Sequence, residues 1–202
     1  SIAMGDIALI AVIMAGGKAT RFGYGIEKAL IELDGKTLLE RSLEKLNSFN
    51  FKEIFVSVSP RTPKTVNLCG RLEVKTLPTL GLDYHQDIYA LLDELGNFVS
   101  LNVDSPFIAH EDIKNLLKAV RDVSISLVVQ RNLTKFPVDE QSAFEKEGIQ
   151  YVWLGLNYVT PSKEIEFLES RNWLGALNVN SPSDLVLALE YIRNPPDEAR
   201  TY

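Results

Sequence analysis

Apolar residues in this chain fall into short runs, and amphipathic stretches separate them. The first run, Ile7–Met14 (IALIAVIM), is continuous, isoleucine-rich and bounded by glycines. It reads as a buried strand and is too short to cross a membrane. Further strands are predicted at Glu53–Ser59, Glu73–Leu77, Asn97–Val103, Ser124–Val129 and Tyr151–Val159, the last broken by Gly155. Helical spacing appears at 38–46, where Leu38, Leu39, Leu43 and Leu46 share one face and Thr37 is the expected cap. It recurs at Asp83–Leu95 and Glu111–Val120, with a short helix expected at Glu164–Ser170. Ser181-Pro182 starts the closing helix, Asp184–Ile192. Ala29–Leu33 is a short apolar segment before an Asp34-Gly35 turn. Ser59–Thr65 reads as a polar loop pinned by two prolines, and 135–150 as a polar, irregular excursion.

Strands alternating with helices imply parallel βαβ units. The expected fold is α/β: a three-layer αβα, Rossmann-like, open and mainly parallel twisted sheet. Residues 7–194 are expected to form one domain, with 1–6 and 195–202 as frayed termini. Ligands of such sheets sit beyond the carboxyl ends of the strands, so loops distant in sequence can converge there.

Bulk properties narrow the field. The 202 residues are 46% hydrophobic and 24% charged, with a net charge of -6. That charge disfavours a nucleic-acid footprint, so an anionic ligand must be drawn by local cations. The single cysteine, Cys69, allows no internal disulfide, and no leader or membrane span is visible, so a cytoplasmic location is expected. Met4 is the expected natural start. No repeat or low-complexity segment appears, and a homodimer is compatible with the sequence.

The candidate chemistry begins directly after the first strand, in Ala15-Gly16-Gly17-Lys18-Ala19-Thr20-Arg21-Phe22-Gly23, closed by Glu27-Lys28. Glycines let backbone N–H groups approach an anion, and Lys18, Arg21 and Lys28 offset its charge. Position 12 is Val and Ala19 follows Lys18, so the Walker pattern fails; adjacent Gly16 and Gly17 exclude the dinucleotide fingerprint. Asp104, at a strand end before Pro106, reads either as a magnesium ligand or as a cap for the next helix. Asn178 and Asn180 would point the same way along a strand, or else form a turn before the capped helix. Ser59 could touch a base, and Gly81 and Gly155 could admit a ligand closely. Arg61, Lys64, His85, His110, Trp153 and Trp173 are read as surface or core residues.

The glycine-rich stretch resembles the signature of nucleotidyltransferases related to the molybdenum-cofactor guanylyltransferase and the sugar-phosphate uridylyltransferases, of the nucleotide-diphospho-sugar transferase fold. The match covers Ala15, Gly16, Gly17, Thr20, Arg21, Phe22, Gly23 and Lys28; Ala19 stands where that family usually has glycine. Asp104-x-Pro106 and Asn178-x-Asn180-Ser181-Pro182-x-Asp184-Leu185 resemble its two magnesium-holding segments. The resemblance implies that the loop amides, Lys18 and Arg21 hold the β- and γ-phosphates of a nucleoside triphosphate. It implies Lys28 at the α-phosphate and Mg2+ on Asp104 and Asn180. The loop Ser59-Pro60-Arg61-Thr62-Pro63-Lys64-Thr65 and the segment Gly155-Leu156-Asn157-Tyr158-Val159 are similar to the small, single-function adenosylcobinamide-phosphate guanylyltransferases. That likeness implies GTP as donor and adenosylcobinamide phosphate as acceptor. Ser59 and Gly81 would then lie at the nucleotide, and Gly155 and Asn157 at the acceptor, with 135–150 passing over the acceptor site. Molybdenum-cofactor guanylyl transfer is the nearest alternative; a catalytically inactive GTP-binding regulator is the alternative from another class.

Overall fold

The computed structural model describes residues 7–17 and 19–199. The strands are β1 (Ile7–Met14), β2 (Glu32–Leu33), β3 (Lys36–Thr37), β4 (Phe51–Val58), β5 (Lys75–Pro78), β6 (Phe98–Asn102), β7 (Ser124–Gln130), β8 (Ala143–Lys146), β9 (Ile149–Val159) and β10 (Ile165–Ser170). The α-helices are α1 (Leu38–Asn47), α2 (Pro63–Arg71), α3 (Tyr84–Leu95), α4 (His110–Ala119) and α5 (Pro182–Arg193). Seven strands run β10-β7-β9-β6-β1-β4-β5 across one sheet, and β8 pairs with β9 beside that path. β9 is antiparallel to β6, β7 and β8, while the β1–β4, β1–β6, β4–β5 and β7–β10 pairings are parallel. The sheet is therefore mixed and mostly parallel, as expected.

Alternation along β1 assigns the layers. Ala11 and Ile13 are fully buried in the larger core with Leu39 and Leu43 of α1, Leu68 of α2, Ile113 and Leu116 of α4, and Ala188 of α5. Val12 points to the other face, where Leu91 of α3 packs with Leu77 and Phe98. Each buried Leu, Ile, Val or Phe among them contributes about 1.5–3 kcal/mol by leaving water. α1 starts where its sequence says it should: Thr37 Oγ1 accepts from Glu40 N–H, and Glu40 Oε2 accepts from Thr37 N–H at 2.8 Å.

Four expectations need correction. Glu164–Ser170 is not a helix but the edge strand β10, parallel to β7. Its run is too short to show a helical period, and Leu168 and Phe167 serve opposite faces, Leu168 against the core and Phe167 against Trp153 and Phe144. The presumed loop at Ser59–Thr65 already contains the start of α2, with Pro63 in its first turn. The excursion at 135–150 is not wholly irregular, because 143–146 pairs with 149–152 as a hairpin. Glu147 and Gly148 both have positive φ, 52° and 80°, the turn geometry that matches strand twist. Finally, Asn178–Asn180 is not a strand. Its conformation is irregular, fixed by Val179 N–H donating to Asp104 C=O at 2.8 Å.

The expected terminal fraying at 1–6 and 200–202 lies outside the described residues. Residues 195–199 are described; Asp197–Ala199 form a short helical turn, and Glu198 pairs with Lys135 at 3.2 Å.

Candidate active site

Sheet order creates the crevice. β4 and β5 lie on one side of β1 and β6 on the other, so the chain reverses direction of travel at the β1–β6 junction. Met14 is the register partner of Asn102, and Val103 N–H donates to Met14 C=O at 3.2 Å. The glycine-rich turn after β1 and the Asp104 turn after β6 therefore emerge side by side. Between them lies a cleft of about 350 Å3, lined by Ala15, Gly16, Gly17, Lys28, Gly81 and Asp104 among others.

The third contributor comes from the far end of the sequence. Besides the Val179–Asp104 backbone bond, Ser105 Oγ donates to Asn178 Oδ1 at 3.0 Å. Asn180 N–H donates to Asp184 Oδ2 at 3.0 Å, which holds the asparagine at the start of α5. Asn180 Oδ1 thus reaches Lys28 Nζ at 2.6 Å, and the same ammonium lies 3.1 Å from Asp104 Oδ2. Two oxygens from distant segments converge on one positive charge, so together they form a cation seat. One carboxylate and one amide oxygen are hard donors of the kind Mg2+ accepts while keeping waters and substrate phosphates as its other ligands. Among the described residues there is no cluster of three His, Cys, Asp or Glu side chains that could hold a metal without substrate.

The glycine-rich turn is anchored at its start by the turn after β4. Gly16 C=O accepts from Ser59 Oγ at 2.7 Å. Gly81 lies so close that a Cβ there would stand 2.4 Å from Ser59 Oγ, and its φ is +68°. Ser59, read from the sequence as a possible base contact, has its hydroxyl engaged with the glycine-rich turn. Ala19 has φ −103°, outside the left-handed region that would call for glycine. Arg21 points to the excursion, with Nη2 at 2.6 Å from Asp139 Oδ2. The guanidinium beside Asp139 holds its carboxyl below the usual range, helped by the Gln141 amide. Lys18 lies outside the described residues.

The sequence profile of the MobA-like NTP transferase domain matches residues 11–150. The chain belongs to this family. A relative, the adenosylcobinamide-phosphate guanylyltransferase of Methanocaldococcus jannaschii, is 28% identical over 88% of this chain and 94% of its own. The probable molybdenum cofactor guanylyltransferase of Natranaerobius thermophilus is 26% identical, covering 90% of this chain and 95% of its own. Among solved structures, 4-diphosphocytidyl-2C-methyl-D-erythritol synthase of Anaerococcus prevotii superposes with a TM-score of 0.67 at 10% identity, over 93% of this chain and 97% of that one. A CMP:2-keto-3-deoxy-manno-octonic acid synthetase gives 0.65 at 13% identity, over 95% and 100%. These likenesses place the fold among nucleotidyltransferases of the nucleotide-diphospho-sugar transferase type.

The chain carries a second cleft, of about 330 Å3, that shares Asn180 with the cation seat. Arg21, Phe136, Asp139, Asn178 and Ser183 also line it. Gly155 and Asn157 lie in the sheet, with Gly155 packed beneath Ser105 and Asn102, the latter a wall of the first cleft. The space for a Cβ on Gly155 is held by Ser105 Oγ at 2.4 Å, where β9 spends four residues against two of β7. Asn157 Nδ2 donates to Ser100 Oγ at 3.4 Å within the sheet. A further cavity borders Pro106 and contains Lys45, whose Nζ donates to Pro106 C=O at 2.8 Å. Burial draws the Lys45 pKa down to about 8, opposed by Asp112. His110, in the same cavity and stacked on Phe49, is lowered by burial and by Lys45. Arg61 and Lys64 are exposed.

Sequence reasoning missed Glu27 as a functional neighbour of Lys28. It is 6% exposed. Its Oε1 accepts from Thr65 N–H and Thr65 Oγ1, both at 2.8 Å, and its Oε2 from Lys64 N–H at 3.0 Å. The start of α2, otherwise an anion site, is therefore filled by an internal carboxylate. The available signal was a lone acidic residue beside a signature lysine, opposite a proline-started helix.

Proposed function

We propose that this nucleotidyltransferase transfers GMP from GTP to adenosylcobinamide phosphate, releasing pyrophosphate. The reading is supported above all by the convergence of Lys28, Asp104 and Asn180 at the mouth of a glycine-lined cleft. The choice of donor and acceptor is supported by the Methanocaldococcus relative and by the loop likenesses. GTP enters the first cleft with its triphosphate along the amides of Gly16 and Gly17. Arg21 exchanges Asp139 for phosphate oxygens, and Lys28 leaves the cation seat for the α-phosphate. Asp104 and Asn180 would hold Mg2+, whose chemistry there would be positive charge for the α-phosphate and the leaving group. The acceptor lies in the second cleft. An oxygen of its phosphate bonds to the α-phosphorus as the bond to the β-phosphate oxygen breaks. That oxygen is already ionised near neutral pH, so no side chain needs to remove a proton, and positioning and charge neutralisation dominate.

Molybdopterin guanylyl transfer is the second reading, favoured by the nearly equal similarity to the Natranaerobius relative. Pyrophosphate release with GTP, Mg2+ and a panel of acceptors decides between them. Turnover with adenosylcobinamide phosphate alone is the expected result. Turnover only with molybdopterin supports the second reading, and tight GTP binding with no turnover points to a regulatory binder.

A further inference from the structure

The glycine-rich segment leaves the protein surface after Phe22 and returns at Glu27. Tyr24 stands fully in solvent and Ile26 is 45% exposed, yet the next residue, Glu27, is buried. Gly23 and Gly25 have positive φ, 108° and 77°, so the protruding stretch is built from turns that hold little by themselves. What fixes its return is Glu27. Both carboxylate oxygens are engaged by the first turn of α2, and all three donors come from Lys64 and Thr65. The N-cap of that helix, Thr62, makes no side-chain cap bond of its own. Thr62 Oγ1 instead accepts from Ser59 N–H at 3.0 Å, and Ser59 Oγ holds Gly16 C=O. The β4–α2 turn thus grips the glycine-rich segment at both ends, through Ser59 at Gly16 and through Thr65 at Glu27.

Lys28 follows the second grip directly. It opens a short helical turn closed by Leu30 N–H to Glu27 C=O at 3.0 Å and by Ile31 N–H to Lys28 C=O at 3.1 Å. A lysine side chain is long and flexible, and holding its ammonium at one place costs conformational entropy. Here its backbone root is fixed on one side of the cleft while Nζ is held on the other, by Asp104 and Asn180.

We propose that Glu27 is a positioning residue for Lys28: it fills the anion seat of helix α2 with an internal carboxylate, and so sets where the lysine starts its reach across the cleft. Lys28 takes its catalytic part from the transferase reading above; the positional link between Glu27 and Lys28 does not depend on it.

Two measurements test the link. Amine acetylation followed by mass spectrometry reports how free Lys28 is, with exposed Lys118 as internal reference. Glu27→Ala is expected to raise Lys28 labelling about five-fold or more, since buried hydrogen-bonded groups lose their hold when the partner is removed. Glu27→Gln keeps an acceptor for Thr65 but not for Lys64 N–H, and is expected to fall between. Leu68→Ala, which loosens α2 without touching Glu27, is expected to leave Lys28 labelling unchanged. Equal labelling in wild type and both Glu27 variants, or a rise in Leu68→Ala as large as in Glu27→Ala, would overturn the proposal. The second measurement is a double-mutant cycle on turnover. Glu27→Ala is expected to lower kcat about 10- to 100-fold in the wild type, with KM for GTP within about three-fold. In a Lys28→Ala background it is expected to change kcat by less than about two-fold, because residues acting through one another are not additive. Additive losses would overturn the proposal. Raised labelling in a protein that turns over no acceptor would uphold the link and sink the transferase reading instead.

Discussion

Asp104→Ala is expected to remove nucleotidyl transfer, lowering kcat by about 10²–10³-fold or more, the scale of losing one preorganised electrostatic contact to a phosphoryl group. The expectation follows from three features of its position. Asp104 follows β6 beside the glycine-rich turn, where strand pairing sets it in the wall of the first cleft. Its carbonyl is bound to Val179 N–H, so backbone and side chain serve the same junction. It also supplies the only carboxylate of the cation seat, since the other oxygen is an amide. Removing it leaves Asn180 alone, a neutral donor with little hold on a divalent ion. The side chain is partly exposed, so the fold should survive, and a melting scan on the same sample checks this. An Asp104→Ala protein with turnover near that of wild type would refute the assignment of the cation seat.

Lys28→Ala is expected to cut turnover more than it cuts GTP affinity. The ammonium is already placed between two oxygens, and in the proposed reaction it meets negative charge that grows on the α-phosphate and the leaving oxygen. An interaction stronger in the transition state than in the ground state affects kcat, while uniform binding affects KM. We expect kcat to fall about 10²–10³-fold with the dissociation constant for GTP changed by less than about ten-fold. Stopped-flow turnover and calorimetric GTP titration measure the two quantities. A loss of affinity with unchanged kcat would contradict the transition-state role. Lys28→Arg is a useful companion, because a guanidinium is planar and bulkier and does not fit a seat shaped for a point charge.

How much of this the sequence revealed depends on how local each signal is. β1, α1, α3 and α5 could be read directly because their patterns are complete within a few residues: a continuous apolar run, a Thr37 cap before an amphipathic stretch, helically spaced Ile88, Leu91, Leu92 and Leu95, and a Ser181-Pro182 start. β10 was misread because Ile165–Ser170 becomes a strand only through β7, and an edge strand with Glu166 and Glu169 carries no clear alternation. The start of α2 was hidden because its cap does not come from its own sequence: Glu27 supplies it from 38 residues away at Thr65. The site shows the same division. Asp104 and Asn180 were singled out because their segments resemble a known pattern. That Lys28 sits between them is a tertiary fact that no spacing reveals. Gly155 and Asn157, expected near an acceptor, lie in a β-bulge and in the sheet ladder, since a glycine that lets a ligand approach and one that lets a neighbouring serine approach look alike in sequence.

The central claim is that one divalent ion and one triphosphate share the crevice between the β1 turn, Asp104 and Asn180. A crystal grown with Mn2+ and a non-hydrolysable GTP analogue tests it most directly, because the anomalous signal locates the ion independently of the refined chain. One peak is expected about 2–2.5 Å from an Asp104 carboxylate oxygen and from Asn180 Oδ1, with Lys28 Nζ moved onto the α-phosphate. A peak away from both oxygens, or a nucleotide that leaves the amides of Gly16 and Gly17 uncontacted, would contradict it.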